Sequence, residues 1–408
     1  MQNKIKSSWF WFENLIIYLP FFIVFFVIFN IPDSKYLASR FTLLSALYCA
    51  VRFYPAWIGD FLNKKNIVIF TLIFLSYFIF MKYYNEGNSD FSRAIFHSLL
   101  YFIFFPFNRF SRNFIFYLLV ISSLFIGVAS YYQVYCAGMS RAGYLSINPI
   151  PFSYFSGLCL ILIVYFCLSN KNKNMTVFIL TGIGILSSIY AIILAQTRAT
   201  FLALLVVFVL VSLSSLMKSA SKVKSFRLLS LYFVMSIVLW NIPIIKQRVS
   251  DAVNQVHNYE NNYYKSSTGI RVKLWESGLL IASENISLGS NRSDVRDFSL
   301  LNIKEGTIPE YLRDFLIHPN PNFHNQYIQA LVDSGLIGLT LILVFVLSPL
   351  LLLKAEEFYS KLMGVSISVF TVICLWFDSL FLYNHTVILY SLVFFIVFGV
   401  RRYEKEEL

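Results

Sequence analysis

Apolar runs long enough to cross a bilayer recur along the whole of this 408-residue chain. A bilayer-crossing helix needs about 20 mainly apolar residues, because its backbone polar groups must be satisfied inside the segment. The chain is 58% hydrophobic and 13% charged, with a mean hydropathy of +0.67, which excludes an ordinary soluble globular domain. The sequence therefore predicts an all-α, polytopic membrane protein.

About twelve membrane spans fit the apolar runs best. They are placed at residues 13–31, 36–55, 66–84, 92–107, 113–133, 150–169, 175–195, 198–217, 227–244, 325–353, 361–382 and 386–400. Spans one to nine occupy residues 1–245, a long loop occupies residues 246–323, and the last three spans occupy residues 324–408. The loop contains two predicted helices, at 246–257 and 267–282, and a loop this long in a compact protein is usually functional.

The net charge of +12 is distributed in a way that indicates membrane topology, so it does not predict a nucleic-acid partner. Alternate short loops differ in charge. The opposite set has only Lys35, Arg93, Arg141 and Arg198, whereas the positive set holds Lys4, Lys6, Lys64, Lys65, Arg109, Arg112, Lys171, Lys173, Lys218, Lys222, Lys224, Arg227, Lys354, Lys361, Arg401 and Arg402. Positive loops face the cytoplasm, so we expect both termini there and the long loop outside. The five cysteines have no metal-like spacing and predict neither a metal site nor a disulfide framework.

Ionisable residues are almost absent from the depths of the predicted spans. A charge at the bilayer centre costs about 2.5–3.5 kcal/mol on insertion scales, and ion-coupled transporters usually keep several near the midplane. Here the candidates collect near the expected outer face, at Arg198, Arg271, His324, Asp378 and His385. This distribution favours chemistry at the outer membrane surface.

An arginine follows a candidate helix cap between the seventh and eighth predicted spans. The link is very short, so Thr197 can cap the eighth span and place Arg198 in its first turn. A cation there opposes the helix dipole, unless an anion is held by the free N–H groups and the guanidinium together. An arginine that only reaches lipid phosphate explains Arg198 equally well when this residue is taken alone.

The second loop helix repeats this pattern and adds an apolar face. Ser267 or Thr268 can cap the helix, which places Arg271 in its first turn. A solvated surface arginine explains the position equally well by itself. The apolar face suits a helix that lies on the membrane surface. Its residues are Ile270, Leu274, Gly278 and Ile281.

A histidine precedes the tenth span in a polar stretch. Asn322 can cap a helix that begins at the next residue, which places His324 in the first turn. The helix dipole there disfavours the imidazolium cation, so a neutral proton acceptor is expected. Asp378 lies near the outer end of span eleven and can pair with His324 or with an arginine. Purely structural hydrogen bonding is the alternative for both residues.

Together these motifs resemble those of the O-antigen ligase family of membrane glycosyltransferases. Residues 194–200, Leu-Ala-Gln-Thr-Arg-Ala-Thr, are similar to the family's short outer arginine motif, and residues 269–276 are similar to its long-loop arginine motif. Residues 323–325, Phe-His-Asn, with Gly335 and Gly338 in a face suited to close helix packing, are similar to its histidine motif. The predicted spans and the single large loop match as well, so the resemblance covers nearly the whole chain.

The resemblance implies a GT-C-like enzyme with one large periplasmic loop. It would transfer O-antigen from undecaprenyl pyrophosphate to the outer core of lipid A–core, at the periplasmic side of the bacterial inner membrane. The implied reaction inverts the anomeric centre and uses neither a metal nor another cofactor. The implied partners are the two lipid-linked glycans and membrane lipids, and an association with the O-antigen polymerase machinery is left open.

The resemblance also implies roles for the candidate residues. Arg198 and Arg271 would stabilise the departing diphosphate, and His324 would take the proton of the acceptor hydroxyl. Further contacts to the pyrophosphate or the acceptor are expected from Thr197, Asn325 and Asp378. An O-antigen polymerase or a protein O-oligosaccharyltransferase of the same superfamily would use a similar donor. A lipid-linked glycan flippase is a rival from another class, but it needs a polar path through the membrane.

Overall fold

The computed structural model describes residues 11–86, 89–169, 175–218, 243–261, 263–355 and 357–406. These residues form helices, short 3-10 segments and loops, with no strand among them, which confirms the predicted all-α class for this part of the chain. The helices are α1 (Trp11–Ile17), α2 (Leu19–Ile28), α3 (Leu37–Arg52), α4 (Tyr54–Tyr84), α5 (Ser89–Phe104), α6 (Arg112–Cys136), α7 (Pro149–Leu168), α8 (Met175–Ala195), α9 (Arg198–Lys218), α10 (Pro243–Glu260), α11 (Ser267–Glu284), α12 (Arg292–Lys304), α13 (Arg313–Leu316), α14 (Gln326–Leu347), α15 (Phe358–Phe377) and α16 (Asn384–Glu406).

Seven helices in the described ranges are long and apolar enough to cross a membrane, namely α4, α6, α7, α8, α14, α15 and α16. Helices α1 and α2 meet at a bend of 62° and make an eighth span if they cross the membrane together. The protein is therefore a multi-pass membrane protein, while the prediction of about twelve spans is not confirmed. The predicted span at 227–244 lies almost entirely outside the described residues. Also outside the described residues are Lys4, Lys6, Lys171, Lys173, Lys222, Lys224 and Arg227.

Helix α4 begins at Tyr54, well before the predicted boundary, and this moves Lys64 from a predicted loop into a helix. The Lys64 side chain is fully buried. Its amine donates hydrogen bonds to the carbonyl oxygens of Ile103 at 2.9 Å and Phe105 at 3.1 Å, and lies 4.7 Å from the centre of the Phe107 ring. These partners lie in the last turn of α5 and just after it, so a contact distant in sequence satisfies the buried amine.

The loop helices have an apolar core of their own, packed on the start of α14. This core corrects the prediction that the apolar face of α11 lies on the membrane, because Leu274 and Ile281 are buried inside the protein. Gly278 permits the close approach, since a Cβ atom there would lie 2.5 Å from the Ile328 side chain and 2.8 Å from that of Phe323. Helix α11 is thereby held against α14, next to His324.

Helix α14 is broken at Gly335, which has φ 61° and ψ −166°. A side chain at Gly335 would collide with the carbonyl of Ser287, and the Leu336 N–H donates to the Ile286 carbonyl at 2.8 Å. The left-handed backbone and the lack of space both require glycine here. The predicted close packing at this position is thus made against the loop after α11. We call residues 326–334 the first segment of α14.

Candidate functional site

The sequence-predicted site residues gather at one face of the helix bundle, the face that carries α10 to α13. We call it the loop face. Helix α8 ends there, α9 and α14 begin there, and the connection between α15 and α16 lies beside the start of α14. Hydrogen bonds link α10 to the start of α9 and to the start of α11. Side chains from distant parts of the sequence therefore share one surface.

The residue before the α14 cap is His324, with φ 50°. The prediction that Asn322 caps the helix and that His324 lies in its first turn is wrong. The helix begins at Gln326, and Asn325 caps it by accepting hydrogen bonds from the N–H groups of Tyr327 at 2.9 Å and Ile328 at 3.2 Å. The Asn322 side chain instead accepts from the His324 N–H at 2.8 Å, which stabilises a tight turn before the helix.

The imidazole of His324 pairs with the carboxylate of Asp378. The two atoms, His324 Nδ1 and Asp378 Oδ1, are 2.9 Å apart, and the side chains are 29% and 6% exposed. The same oxygen accepts the N–H of Ser379 at 3.0 Å. An ionised carboxylate only accepts hydrogen bonds, so Nδ1 carries the hydrogen and Nε2 of the neutral ring keeps a free lone pair. This dyad can accept a proton from a hydroxyl group.

The dyad rests on a rigid frame between α14 and the α15–α16 connection. The Asn325 N–H donates to the Ser379 hydroxyl at 3.2 Å, and the Gln326 side chain accepts from the Phe381 N–H at 2.8 Å. Asn325 is 2% exposed, and its side-chain oxygen is engaged in the helix cap. Only its amide NH₂ group remains for a ligand, and its predicted contact with substrate stays a prediction.

Helix α11 brings Arg271 to the dyad. The cap of this helix is Ser266, whose hydroxyl accepts from the Gly269 N–H at 3.0 Å, and not Ser267 or Thr268 as predicted. Arg271 consequently lies just beyond the first turn. Its side chain is half-buried, and burial lowers the pKa of the guanidinium while the charge of Asp378 raises it. Asp378 therefore interacts with both His324 and Arg271.

The first residue of α9 is Arg198, as the sequence predicted. Its guanidinium donates to the side-chain oxygen of Gln255 in α10 at 2.8 Å, and the Thr268 hydroxyl donates to the same oxygen at 2.7 Å. Thr197 is buried, and its hydroxyl contacts that of Ser153. A single amide oxygen thus joins the starts of α9 and α11, which carry the two predicted arginines.

Two more arginines, which were not predicted as site residues, approach the turn between α8 and α9. Arg248 in α10 donates to the Gln196 side-chain oxygen at 3.1 Å and 2.6 Å. Arg141, in the loop after α6, donates to the backbone oxygens of Ala195 at 2.9 Å and Gln196 at 3.4 Å. The i, i+7 spacing of Arg248 and Gln255 on one helix face is a signal that could have indicated Arg248. No comparable local signal marks Arg141.

Arg141 and Arg198 each lie within electrostatic range of Arg248 and Arg271, and we call these four residues the arginine cluster. Burial lowers the pKa of Arg141, and the charges of Arg248 and Arg271 lower it further. Arg198 lies near the same two positive charges and near the carboxylate of Asp251. Guanidinium groups stay protonated in proteins and bind phosphate oxygens in pairs, so the cluster can hold an anion with several oxygens.

The fold and site define a multi-pass membrane protein with a proton-accepting dyad beside an arginine cluster. Residues 183–343 match the family model described as O-Antigen ligase. The chain is 29% identical over 309 residues to the O-antigen ligase of Escherichia coli strain K12, covering 69% of this chain and 70% of the relative. It is 25% identical over 107 residues to an uncharacterized protein of Haemophilus influenzae, covering 26% of each. These matches support the O-antigen ligase family for this chain, and with it a glycosyl-transferring enzyme in general.

Proposed function

We propose that this protein transfers O-antigen polysaccharide from undecaprenyl pyrophosphate to the outer core of lipid A–core. Its similarity to O-antigen ligases supports this, and the observation that carries the proposal is the His324–Asp378 dyad beside the arginine cluster. The loop face would be periplasmic and both termini cytoplasmic, with the chain in the bacterial inner membrane. The distribution of positive loops supports this orientation.

The arginine cluster would bind the diphosphate of the donor. When the bond between sugar C1 and the diphosphate oxygen breaks, its electron pair leaves with that oxygen. Negative charge on the diphosphate then increases, so Arg198 and Arg271 stabilise the transition state more than the ground state. Arg141 and Arg248 add fixed positive charge nearby. These guanidiniums supply the charge stabilisation that metal ions give in other group transfers, in accord with the proposed metal- and cofactor-independence.

The dyad would act on the acceptor. As the acceptor hydroxyl oxygen attacks C1 opposite the diphosphate, its proton passes to Nε2 of His324, and the anomeric centre inverts. The imidazolium that forms is stabilised by Asp378 through the Nδ1–H hydrogen bond. Ring orientation is set by the same bond. Thr197 and Asn325 would help to hold the substrates, next to the start of α9 and the start of α14.

The acceptor distinguishes this function from its alternatives. Purified protein would be given undecaprenyl-pyrophosphate-linked O-antigen together with rough lipopolysaccharide, with a second lipid-linked glycan, or with an acceptor protein. We expect extended lipopolysaccharide on a gel, with EDTA present or absent. Extension of the lipid-linked glycan would indicate a polymerase, and glycosylated protein an O-oligosaccharyltransferase. Movement of lipid-linked glycan across vesicle membranes without any transfer would indicate a flippase.

A further inference from the structure

A cavity lies on the loop face, away from the dyad. Its volume is about 440 Å³, and it lies between the end of α4, the end of α11 and the beginning of α12. We call it the distal cavity. Aromatic, amide and carboxylate side chains surround it, namely Tyr84, Glu284, Asn285, Asn291, Asp294 and Phe298.

The wall formed by the loop after α11 is held in place by backbone hydrogen bonds to α14. The Ser290 N–H donates to the Val332 carbonyl at 2.8 Å, beside the break in α14. The Asn85 side chain, at the end of α4, donates to the Leu288 carbonyl at 2.8 Å. The cavity is therefore formed before any ligand arrives, which removes the cost of ordering the loop on binding.

The lining of the distal cavity has the opposite charge from the arginine cluster. Glu284 and Asp294 contribute carboxylates, and no lysine or arginine is among the described residues that line the cavity. Carboxylates accept hydrogen bonds from hydroxyl groups, and side-chain amides both donate and accept. The rings of Tyr84 and Phe298 offer apolar surface beside these groups. Such a lining repels phosphates and suits an uncharged ligand with many hydroxyl groups.

Two elements hold this cavity at a fixed distance from the reacting groups. Helix α11 carries Arg271 near its beginning and Glu284 at its end, which are about 20 Å apart along the helix. In the first segment of α14, Gln329 accepts from the Phe323 N–H at 3.2 Å and donates to Asp333 at 2.9 Å. The Asp333 carbonyl in turn accepts from Asn85 at 3.3 Å. A ligand that reached both places would be longer than a single sugar.

We propose that the distal cavity binds uncharged sugar residues of a glycan substrate, several sugars away from the reacting bond. This inference rests on the proposed transfer function. Binding energy from remote sugars would position the reacting end between the dyad and the arginine cluster. The donor polysaccharide and the acceptor core share this chemistry, so the experiment has one arm for each.

The test measures ligation kinetics with each substrate varied in turn. Glu284→Ala removes two acceptors and Ser290→Trp fills the cavity. Glu305→Ala and Ser283→Trp are matched changes at exposed positions outside the cavity lining. We expect both cavity variants to raise the KM of one substrate about tenfold, the effect of losing hydrogen bonds to a charged group, with kcat within a few-fold of wild type. The substrate whose KM rises is the one that the cavity binds.

Binding without turnover separates this inference from the proposed function. Saturation-transfer NMR would use delipidated core oligosaccharide and lipid-free O-antigen repeats, with wild type, His324→Ala and Glu284→Ala proteins. We expect a signal with one glycan in the first two proteins and a much weaker signal in Glu284→Ala, whether or not wild type ligates. Equal signals in all three proteins, or unchanged KM values for both substrates in both cavity variants, would overturn the inference.

Discussion

Cations are buried or half-buried at both ends of the helix bundle, but their partners differ. At the end opposite the loop face, the Lys64 amine is saturated by two backbone carbonyls and an aromatic ring. Nearby, Arg402 forms an ion pair with Asp60 at 2.7 Å. Arg52, which is more exposed, pairs with the buried carboxylate of Glu13 at 2.6 Å. Each of these three positive charges is matched by a carboxylate or enclosed by acceptors.

On the loop face, the arginine cluster is held mainly by neutral oxygens. Arg198 bonds to the amide of Gln255, Arg248 bonds to the amide of Gln196, and Arg141 bonds to backbone carbonyls. These partners fix the guanidiniums, and the carboxylates of Asp251, 4.0 Å from Arg248, and Asp378, near Arg271, cancel only part of the cluster's charge. A cation paired with a carboxylate stabilises the fold. Cations held mainly by amides retain a net positive charge that can act on an anion.

Removing charge from the arginine cluster should have the largest effect. We expect Arg198→Ala and Arg271→Ala each to lower ligation about 10²–10³-fold at normal membrane levels, the usual size of one preorganised electrostatic donor. Lysine replacements should restore only part of the rate, because a point charge lacks the planar fork. Arg93→Ala is the control, since Arg93 lies outside the cluster and pairs with Asp90. Full activity of an alanine variant would remove that arginine from the site.

Asp378→Asn should have the next largest effect. The variant can no longer stabilise an imidazolium, and its amide can turn the ring so that Nε2 carries the hydrogen. We expect kcat to fall about 10²-fold, at the lower end of general-base contributions. Donor binding, measured with a non-transferable undecaprenyl pyrophosphate, should change little. A strong loss of donor binding with unchanged kcat would show that Asp378 acts through Arg271 alone.

Gln255→Glu tests whether a neutral partner preserves the charge of Arg198, because it replaces the amide with a carboxylate of the same shape. We expect the KM of the donor to rise about tenfold, since the new charge cancels part of the cluster's charge beside Arg198. Gln255→Met, which removes the hydrogen bond without adding charge, is the matched comparison. A larger loss in the methionine variant would mean that orientation of Arg198 matters more than charge.

Lys64→Met should leave the site untouched. It removes the donor to two buried carbonyls, so the free energy of unfolding should decrease by about 1–3 kcal/mol. Activity per folded molecule should remain at the wild-type level. The control is Lys65→Met, because Lys65 is the exposed neighbour of Lys64. Thermal unfolding in detergent would be compared with ligation rates, and a fall in kcat without destabilisation would contradict the structural role.

The sequence predicts the features that depend on local pattern. Apolar runs identify the all-α membrane class, and the short link at Thr197 places Arg198 at the first position of its helix. The loop helix around Arg271 was also predicted, with boundaries close to those observed. These features follow from hydrophobic length and helix capping, which neighbouring residues determine.

Features set by distant contacts were missed. His324 lies in a turn before its helix, and α14 breaks at Gly335 because the loop after α11 occupies the space beside it. Lys64 is buried within α4, where carbonyls near the end of α5 accept its hydrogen bonds. Arg248 lies at the site because α10 packs beside the turn between α8 and α9. No local pattern contains these partners, which are far away in the sequence.

The central claim is that His324 accepts the acceptor's proton, and the rate of ligation against pH tests it most directly for wild type and His324→Gln. Wild-type activity should fall at acidic pH, because a protonated imidazole cannot accept a proton. We predict that His324→Gln binds the donor but reacts about 10²–10⁴-fold more slowly, without that acid limb. A glutamine variant within a few-fold of wild type, with the acid limb intact, would contradict the account and leave His324 a positioning residue.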